Sequence, residues 1–390
     1  MFELEKSKLI DLGAEITTRE IHQQPELWEE TINIYKNAQE ELQEFIGKVK
    51  EAAKGQKTRV IFTGAGTSQY VGDTITPYLR QHGNHQDFIF EAIGTTDIVA
   101  SPQEYLISDE PTLLVSFARS GNSPESIAAV EIANQVVNTI HHLSITCAAD
   151  GQLAKMSQAD AKSFLLLMPS RSNDDGFAMT GSFSCMTLST LLVFDQSNLE
   201  TKKQYVETLS KLGEEVIARE KDIQKIVDLD FDRIVYVGSG SLAGLSREAQ
   251  LKILELTAGK VATVFDSSMG FRHGPKSFIN DKTVMFGFVN NQTYTRDYDL
   301  DVLEEVRSDE IAAGVIAITQ PGKRNFSGDQ FSFSEELALL PDGYAALAFV
   351  MVAQTVALLT SVKVGNTPDT PSPTGTVNRV VKGVTIHPYQ

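Results

Sequence analysis

Ser116, Ser120, Asn122 and Ser123 stand together in Leu113-Leu-Val-Ser-Phe-Ala-Arg-Ser-Gly-Asn-Ser123, where an apolar run gives way to a helix-forming one. Small hydroxyls and free N–H groups at a helix N-terminus cradle phosphate without needing a metal or a lysine. A second hydroxyl-bearing turn, Gly64-Ala-Gly66-Thr67-Ser68, follows the apolar run Arg59 to Thr63. Gly66, Thr67, Ser68 and the later serines therefore point to an oxyanion held at adjacent strand ends, where ligands of open α/β sheets sit. The plainer reading of Ser123 is a helix cap, since Ser123-Pro-Glu-Ser puts a proline at the first helical position. A dinucleotide site fits less well, because the third glycine is displaced and no suitably placed acid ends the next strand.

A second constellation is Glu248-Ala-Gln-Leu-Lys-Ile-Leu-Glu255. Glu248, Lys252 and Glu255 lie at i, i+4 and i+7 and share one helix face. Alone, such a face reads as a solvated salt-bridge ladder. The turn Phe271-Arg-His-Gly-Pro275 changes the balance, because a histidine in a rigid loop can move protons while a carboxylate takes one from carbon. His22, His82, His85, His141 and His142 have no comparable setting and read as surface or packing residues.

Apolar runs at 59–63, 87–93, 112–117, 141–147 and 163–168 alternate with helical periods near 70–82, 123–137 and 180–195, which predicts a parallel sheet covered on both faces. The same alternation restarts after the polar break Asp195 to Gln204 and a charged helix over 202–228. Strands are expected at 233–237, 260–265, 283–289 and 314–318, with helices at 245–258, 299–310 and 341–363. Arg233-Ile-Val-Tyr-Val-Gly-Ser-Gly-Ser-Leu242 repeats the first strand and turn, but its later partner, Val284 to Asn291, has no serine. A duplicated α/β fold with one anion loop kept and one lost predicts a single composite site per chain. The expected boundaries are an N-terminal helical segment at 1–45, domains at 46–200 and 201–366, and a C-terminal tail at 367–390 lying over the site. Within the first segment a long helix spans about 25–53, with Thr18 a candidate cap and Pro25 a candidate opener.

With 390 residues, 42% hydrophobic and 22% charged, the chain is globular and long enough for two cores. A net charge of −17 argues against nucleic acid or an anionic membrane surface, though not against an anionic substrate bound by local N–H groups. Cys147 and Cys185 lie in apolar stretches without metal-ligand spacing, which predicts buried thiols in a reducing cytoplasm and no metal or cofactor. The N-terminus has no secretory pattern, and the run Tyr344 to Leu359 reads as too short to span a bilayer.

Gly66-Thr-Ser68, Arg119-Ser-Gly-Asn-Ser123, Glu248-x3-Lys252-x2-Glu255 and His273-Gly-Pro275, in that order, resemble the sugar isomerase (SIS) domains of the isomerase half of glucosamine-6-phosphate synthase. Arg19-Glu-Ile-x-x-Gln-Pro25 and the tail Arg379-Val-Val-Lys-Gly-Val-Thr-Ile386 are also similar to that enzyme. The resemblance implies two tandem SIS domains, each a five-stranded parallel sheet flanked by helices in a flavodoxin-like three-layer sandwich. It implies that Thr67, Ser68, Ser120 and Ser123 hold a sugar phosphate, with Glu255 as the base at C1/C2 and Lys252 as its polar partner. His273 becomes the ring-opening group, given in that family by the neighbouring subunit, which implies at least a homodimer; Lys382 would lie over the sugar. Ala118 stands where that enzyme has a serine, and Arg119 next to it can add a charge-assisted phosphate contact. The synthase's glutaminase domain has no match here, so synthesis is not expected.

The layout, including Asn173 to Thr180 and the tail Asn378 to Ile386, is most similar to AgaS-type proteins of amino-sugar catabolism, described as galactosamine-6-phosphate deaminases or tagatose-6-phosphate isomerases. The chemistry implied is ring opening through His273, proton transfer from C2 to C1 through Glu255, and hydrolysis of a ketimine. Related SIS enzymes, such as glucosamine-6-phosphate deaminases and fructosamine-6-phosphate deglycases, stay open as alternatives. A sugar-phosphate-sensing regulator would keep the serines, but it would need neither Glu255 nor His273 and would usually carry a basic recognition helix.

Overall fold

The runs Thr58–Thr63 and Thr112–Ala118 are buried along their whole length, as strands covered on both faces must be. The computed structural model describes residues 1–380 and 383–389. Its first sheet comprises β1 (Thr58–Thr63), β2 (Phe88–Ala92), β3 (Thr112–Ala118), β4 (Ile140–Thr146) and β5 (Ser163–Leu167). All its strands are parallel, in the order β2-β1-β3-β4-β5. The second sheet comprises β6 (Arg233–Gly238), β7 (Ala262–Ser267), β8 (Thr283–Phe288), β9 (Gly314–Thr319) and β10 (Asp329–Ser332). It is again all parallel, in the order β7-β6-β8-β9-β10, so both halves have the flavodoxin-like arrangement.

On one face of the first sheet Phe62 stacks between Phe90 and Phe117 and meets Phe194 of helix Gly181–Phe194 edge-on. The other face packs Ile61 and Leu114 against Ile98, Ala129 and Ile132 of the helices Thr95–Ala100 and Pro124–Val136. In the second sheet Tyr236, Phe288 and Phe349 stack toward helix Asp342–Lys363. Val235, Val237 and Met285 meet Leu300 and Leu303 of helix Thr293–Ser308 on the opposite face.

The chain packs as two compact units, each assembled from separated stretches. Leu27–Asp174, Gly181–Lys203 and Val377–Gln390 form the unit of the first sheet; Met1–Glu26, Asp175–Thr180 and Gln204–Thr376 form that of the second. Polar contacts tie the remote pieces in. In the second unit the Asp369 carboxylate accepts from the Thr17 N–H at 2.8 Å and the Ile16 N–H at 3.0 Å. Gln24 Nε2 there donates to Gln354 Oε1 at 2.7 Å.

Several elements differ from the sequence expectation. The charged helix over 202–228 is two helices, Leu199–Ala218 and Glu220–Val227, because Arg219 leaves helical geometry at φ −107°, ψ 23°. Its guanidinium instead bonds Glu215, Asp222 and the Ser332 carbonyl over the Phe331 ring. Thr18 is no cap; it lies buried inside helix Glu15–His22. Pro25 does open a helix, as the second residue of Gln24–Ala52. The apolar run near Tyr344 is longer than expected. Helix Asp342–Lys363 has 22 residues, enough to cross a bilayer by length, but its most apolar stretch is 94% buried inside the protein. Both cysteines are buried free thiols, and burial pushes Cys147 up to about 12.

His142 on β4 is buried, with Nε2 bonded to Asn134 Oδ1 at 2.9 Å, and burial lowers its pKa to about 4. The unfolded chain binds this proton near the ordinary 6.5, so the neutral ring's contribution is complete above that pH and is lost as pH falls toward about 4. The shift corresponds to roughly 3 kcal/mol. Urea unfolding at pH 7 and pH 4.5 should show wild type losing more stability on acidification than His142→Gln; equal losses would remove His142 from the account.

Candidate active site

β1 and β3 lie side by side, with Thr63 paired to Ser116 at their carboxyl ends. Gly66, at φ 57° and ψ −128°, turns the chain straight into helix Thr67–His82, whose first residues Thr67 and Ser68 are buried. Gly64 is equally constrained, since a Cβ there would stand 2.5 Å from the Ser68 backbone carbon. The N–H of Thr95, which opens helix Thr95–Ala100, donates to the Gly64 carbonyl at 2.8 Å. The hydroxyls of Ser116, Thr63 and Thr95 are buried here without a hydrogen-bond partner among the described residues. A buried hydroxyl left unmatched costs about 1–3 kcal/mol, so three at one set of strand ends mark a place built for a polar guest. Ser116 was expected from the sequence; Thr63 and Thr95 were not, although Gly94-Thr-Thr-Asp97 is a third hydroxyl-bearing turn after a strand.

The loop after β3 completes this end of the sheet. Ser123 takes the N-cap backbone position ahead of Pro124, but its Oγ pairs with Ser126 Oγ at 2.6 Å instead of capping the helix. Ser120 is half-buried, and its Oγ accepts weakly from the Asn122 N–H at 3.4 Å. Asn122 Oδ1 accepts the Gln152 N–H at 3.0 Å, which fixes the loop to its neighbour. Arg119 is buried and donates from Nη2 to the Arg379 carbonyl at 2.8 Å. Arg379 in turn donates from Nε to the Asp174 carbonyl at 2.9 Å, so the C-terminal segment is tied to the hydroxyl loop. Lys382 lies outside the described residues.

In the other unit, helix Ser241–Leu256 carries the charged constellation. The solvated-ladder expectation fails here, because Glu248 and Lys252 are 0% exposed while the Glu255 side chain keeps 22% exposure. Lys252 Nζ stands 3.3 Å from Glu248 Oε1 and donates to Glu255 Oε2 at 2.6 Å. Burial alone would pull the ammonium's pKa down, but the two carboxylates outweigh it and hold it above the ordinary lysine value. Glu255 is thereby a carboxylate fixed from the protein side by a buried cation and open on its other side.

His273 follows the short turn Gly270–Arg272, with its N–H bonded to the Gly270 carbonyl at 2.8 Å. Gly274 then adopts φ 127°, a value that side-chain-bearing residues rarely take, and Pro275 opens the next turn. The imidazole is exposed and bonds to no described residue, so the histidine and Glu255 are not joined directly. Among the described residues, no group of three or more His, Cys, Asp or Glu side chains could hold a metal ion.

The sequence profile of the SIS domain matches residues 55–194 and 229–359, one span over each sheet. The D-galactosamine-6-phosphate deaminase AgaS of Escherichia coli is 43% identical over 381 residues, covering 96% of either chain. The solved structure of a proposed tagatose-6-phosphate ketose/aldose isomerase from Clostridium novyi NT superposes with a TM-score of 0.93 at 44% identity, covering 100% of this chain and 99% of that one. The C-terminal domain of glucosamine-fructose-6-phosphate aminotransferase from Francisella tularensis, at 18% identity and a TM-score of 0.73 over 91% and 98% of the two chains, shares the fold.

Replacing Lys252 with methionine removes the ammonium 3.3 Å from the buried Glu248 carboxylate. Breaking a buried pair in this way costs about 3–5 kcal/mol. Thermal unfolding should show Lys252→Met well below wild type, with Glu248→Gln/Lys252→Met recovering part of the loss. A single variant as stable as the double would contradict the buried-pair account.

Proposed function

The chain belongs to the SIS-domain family, and from that premise we propose that it deaminates galactosamine 6-phosphate to tagatose 6-phosphate and ammonia. The observation that carries the reading is the buried Lys252 ammonium, with Glu248 behind it and the part-exposed Glu255 ahead. A carboxylate held in this way can lift a proton from carbon and return it to the neighbouring carbon.

In the proposed reaction the substrate phosphate is taken by Thr67, Ser68, Ser120, Ser123 and the hydroxyls at the ends of β1 and β3. This grip uses neutral donors and helix-start amides, which suits a chain of net charge −17. His273 moves a proton from O1 to O5, which opens the ring to the 2-amino aldehyde. Glu255 takes the proton from C2 as O1 takes one up, giving an enolamine; C1 then gains a proton as the amino nitrogen gives one up. Water adds to the resulting C2 ketimine, ammonia leaves, and the ketose phosphate remains, so one water is consumed for each ammonia released. With oxygen in place of nitrogen at C2 the same steps give aldose–ketose isomerisation, the activity for which the Clostridium novyi relative is named.

We further propose that the enzyme works as a homodimer in the cytoplasm. β7 is an edge strand whose residues are all at least partly exposed, with Phe265 at 38% and nearby Met269 at 45%. A second copy covering this apolar edge would bring the exposed His273 turn to its partner's substrate. Phe265→Glu is expected to shift the protein to monomers in analytical ultracentrifugation and to lower turnover with it; a fully active monomer would overturn the dimer reading.

Ammonia and ketose followed together, with galactosamine, glucosamine and tagatose 6-phosphates supplied separately, test the activity. Both products should appear at equal rates from galactosamine 6-phosphate. No ammonia from either amino sugar, with turnover of tagatose 6-phosphate, would leave the isomerase reading instead. Glu255→Gln should lower turnover by about 10²- to 10⁴-fold with its fold intact.

A further inference from the structure

The second half lacks serines after β8, yet the carboxyl end of its sheet is also lined with hydrogen-bond donors. Asp299, 1% exposed on helix Thr293–Ser308, is the group they face. Ser239 Oγ donates to Asp299 Oδ1 at 2.5 Å and Ser268 Oγ to the same oxygen at 2.6 Å. The backbone N–H of Asn290 donates to Asp299 Oδ2 at 3.0 Å and its side-chain Nδ2 at 2.8 Å. No lysine or arginine forms an ion pair with Asp299 among the described residues. Burial raises the carboxyl's pKa above the ordinary value, against the pull of these four donors.

Of these donors Ser268 stands at the position of Thr95, and Ser239 and Asn290 lie in the loops that follow the strands corresponding to those of Thr63 and Ser116. Gly240 repeats Gly66 closely, at φ 58°, ψ −126° against φ 57°, ψ −128°. The Ser268 N–H donates to the Gly238 carbonyl at 2.9 Å, as the Thr95 N–H does to Gly64 at 2.8 Å. Strand register extends the match: Arg59 pairs with Thr112 and Arg233 with Thr283, so Asn290 corresponds to Arg119 and Ser239 to Ala65. The Thr95 hydroxyl has no partner among the described residues, whereas the hydroxyl of its counterpart Ser268 donates to a carboxylate. The corresponding turns of helix Pro124–Val136, Ser126 to Val130, carry no acid.

We infer that the second half has an oxyanion cradle of its own at the strand ends equivalent to those of the first and fills it with its own carboxylate, Asp299, so that removing this side chain opens a site for a small oxyanion such as inorganic phosphate at Ser239, Ser268 and Asn290. A carboxylate is a suitable internal occupant, being an acceptor-only anion that takes several donors at once. Loss of an anion loop in one repeat is then a substitution of a tethered anion for a diffusible one. The second half is thereby barred from competing for phosphate.

The test compares inorganic phosphate binding to wild type and Asp299→Ala by calorimetry at constant ionic strength. The readout is the difference between variant and parent, so it stands whether or not the parent's hydroxyl loop binds phosphate. The variant should bind about one more phosphate per chain and gain thermal stability with phosphate beyond the parent's gain, as ligand linkage requires. A folded variant with no added binding would overturn the inference, since a purely structural carboxylate costs stability on removal without leaving an anion site. If Asp299→Ala does not fold in chloride, its refolding yield in phosphate against chloride takes over. Recovery in phosphate is expected, and equal yields would overturn the inference. Asp299→Asn, which fills the space with an amide donor, should be less stable than wild type and gain no phosphate; a gain there would also overturn it.

Discussion

Gly66 and Gly240 adopt the same positive-φ backbone, and each turns the first strand of its sheet directly into a helix. A side chain at either position would be strained, and one at Gly64 or Gly238 would strike the backbone of the following helix. The tight turn delivers helix-start N–H groups to the carboxyl end of the first strand, beside the third. The strand order reverses there, which is where open parallel sheets bind ligands. The electropositive ends created by this geometry call for something negative.

The two halves meet that demand differently. In the first, β1, β3 and the turn after β2 present hydroxyls from Thr63, Ser116 and Thr95 that are unmatched among the described residues. In the second, Asp299 answers Ser239, Ser268 and Asn290 from within the chain. With its own anion position taken, the second half carries the proposed acid–base chemistry on the helix that its glycine turn starts. Glu248 and Lys252 are buried there at a cost that their pairing helps to offset, and Lys252 in turn holds Glu255.

Much of this is legible in the chain. Strand runs, glycine turns and the i, i+4, i+7 spacing of Glu248, Lys252 and Glu255 are local patterns, and local patterns survive folding. Burial of that charged face is not local: helix Ser241–Leu256 packs against strands β6 and β7 and against helix Asp342–Lys363, almost ninety residues later. For the same reason Thr95 and Asp299 carry little legible signal in the chain, since their meaning comes from strand ends remote in sequence. The helices begin a few residues before their apolar periods do, because Thr67-Ser68 and Ser241 read as loop until the turn's geometry is known. Arg219 breaks a helix whose sequence favours continuity because its guanidinium finds better partners in Glu215, Asp222 and the Ser332 carbonyl.

The central claim is that Glu255 carries the proton between C2 and C1 of an amino-sugar phosphate. The most direct measurement is NMR of the product formed from galactosamine 6-phosphate in D2O. Solvent deuterium should enter C1 in part of the tagatose 6-phosphate made by the wild-type protein, the rest keeping the proton from C2, because a carboxylate base transfers its proton in competition with exchange into solvent. Over the same interval Glu255→Gln should form correspondingly little product of either kind, deuterated or not. Deuterated product from the variant at the wild-type rate would contradict the account.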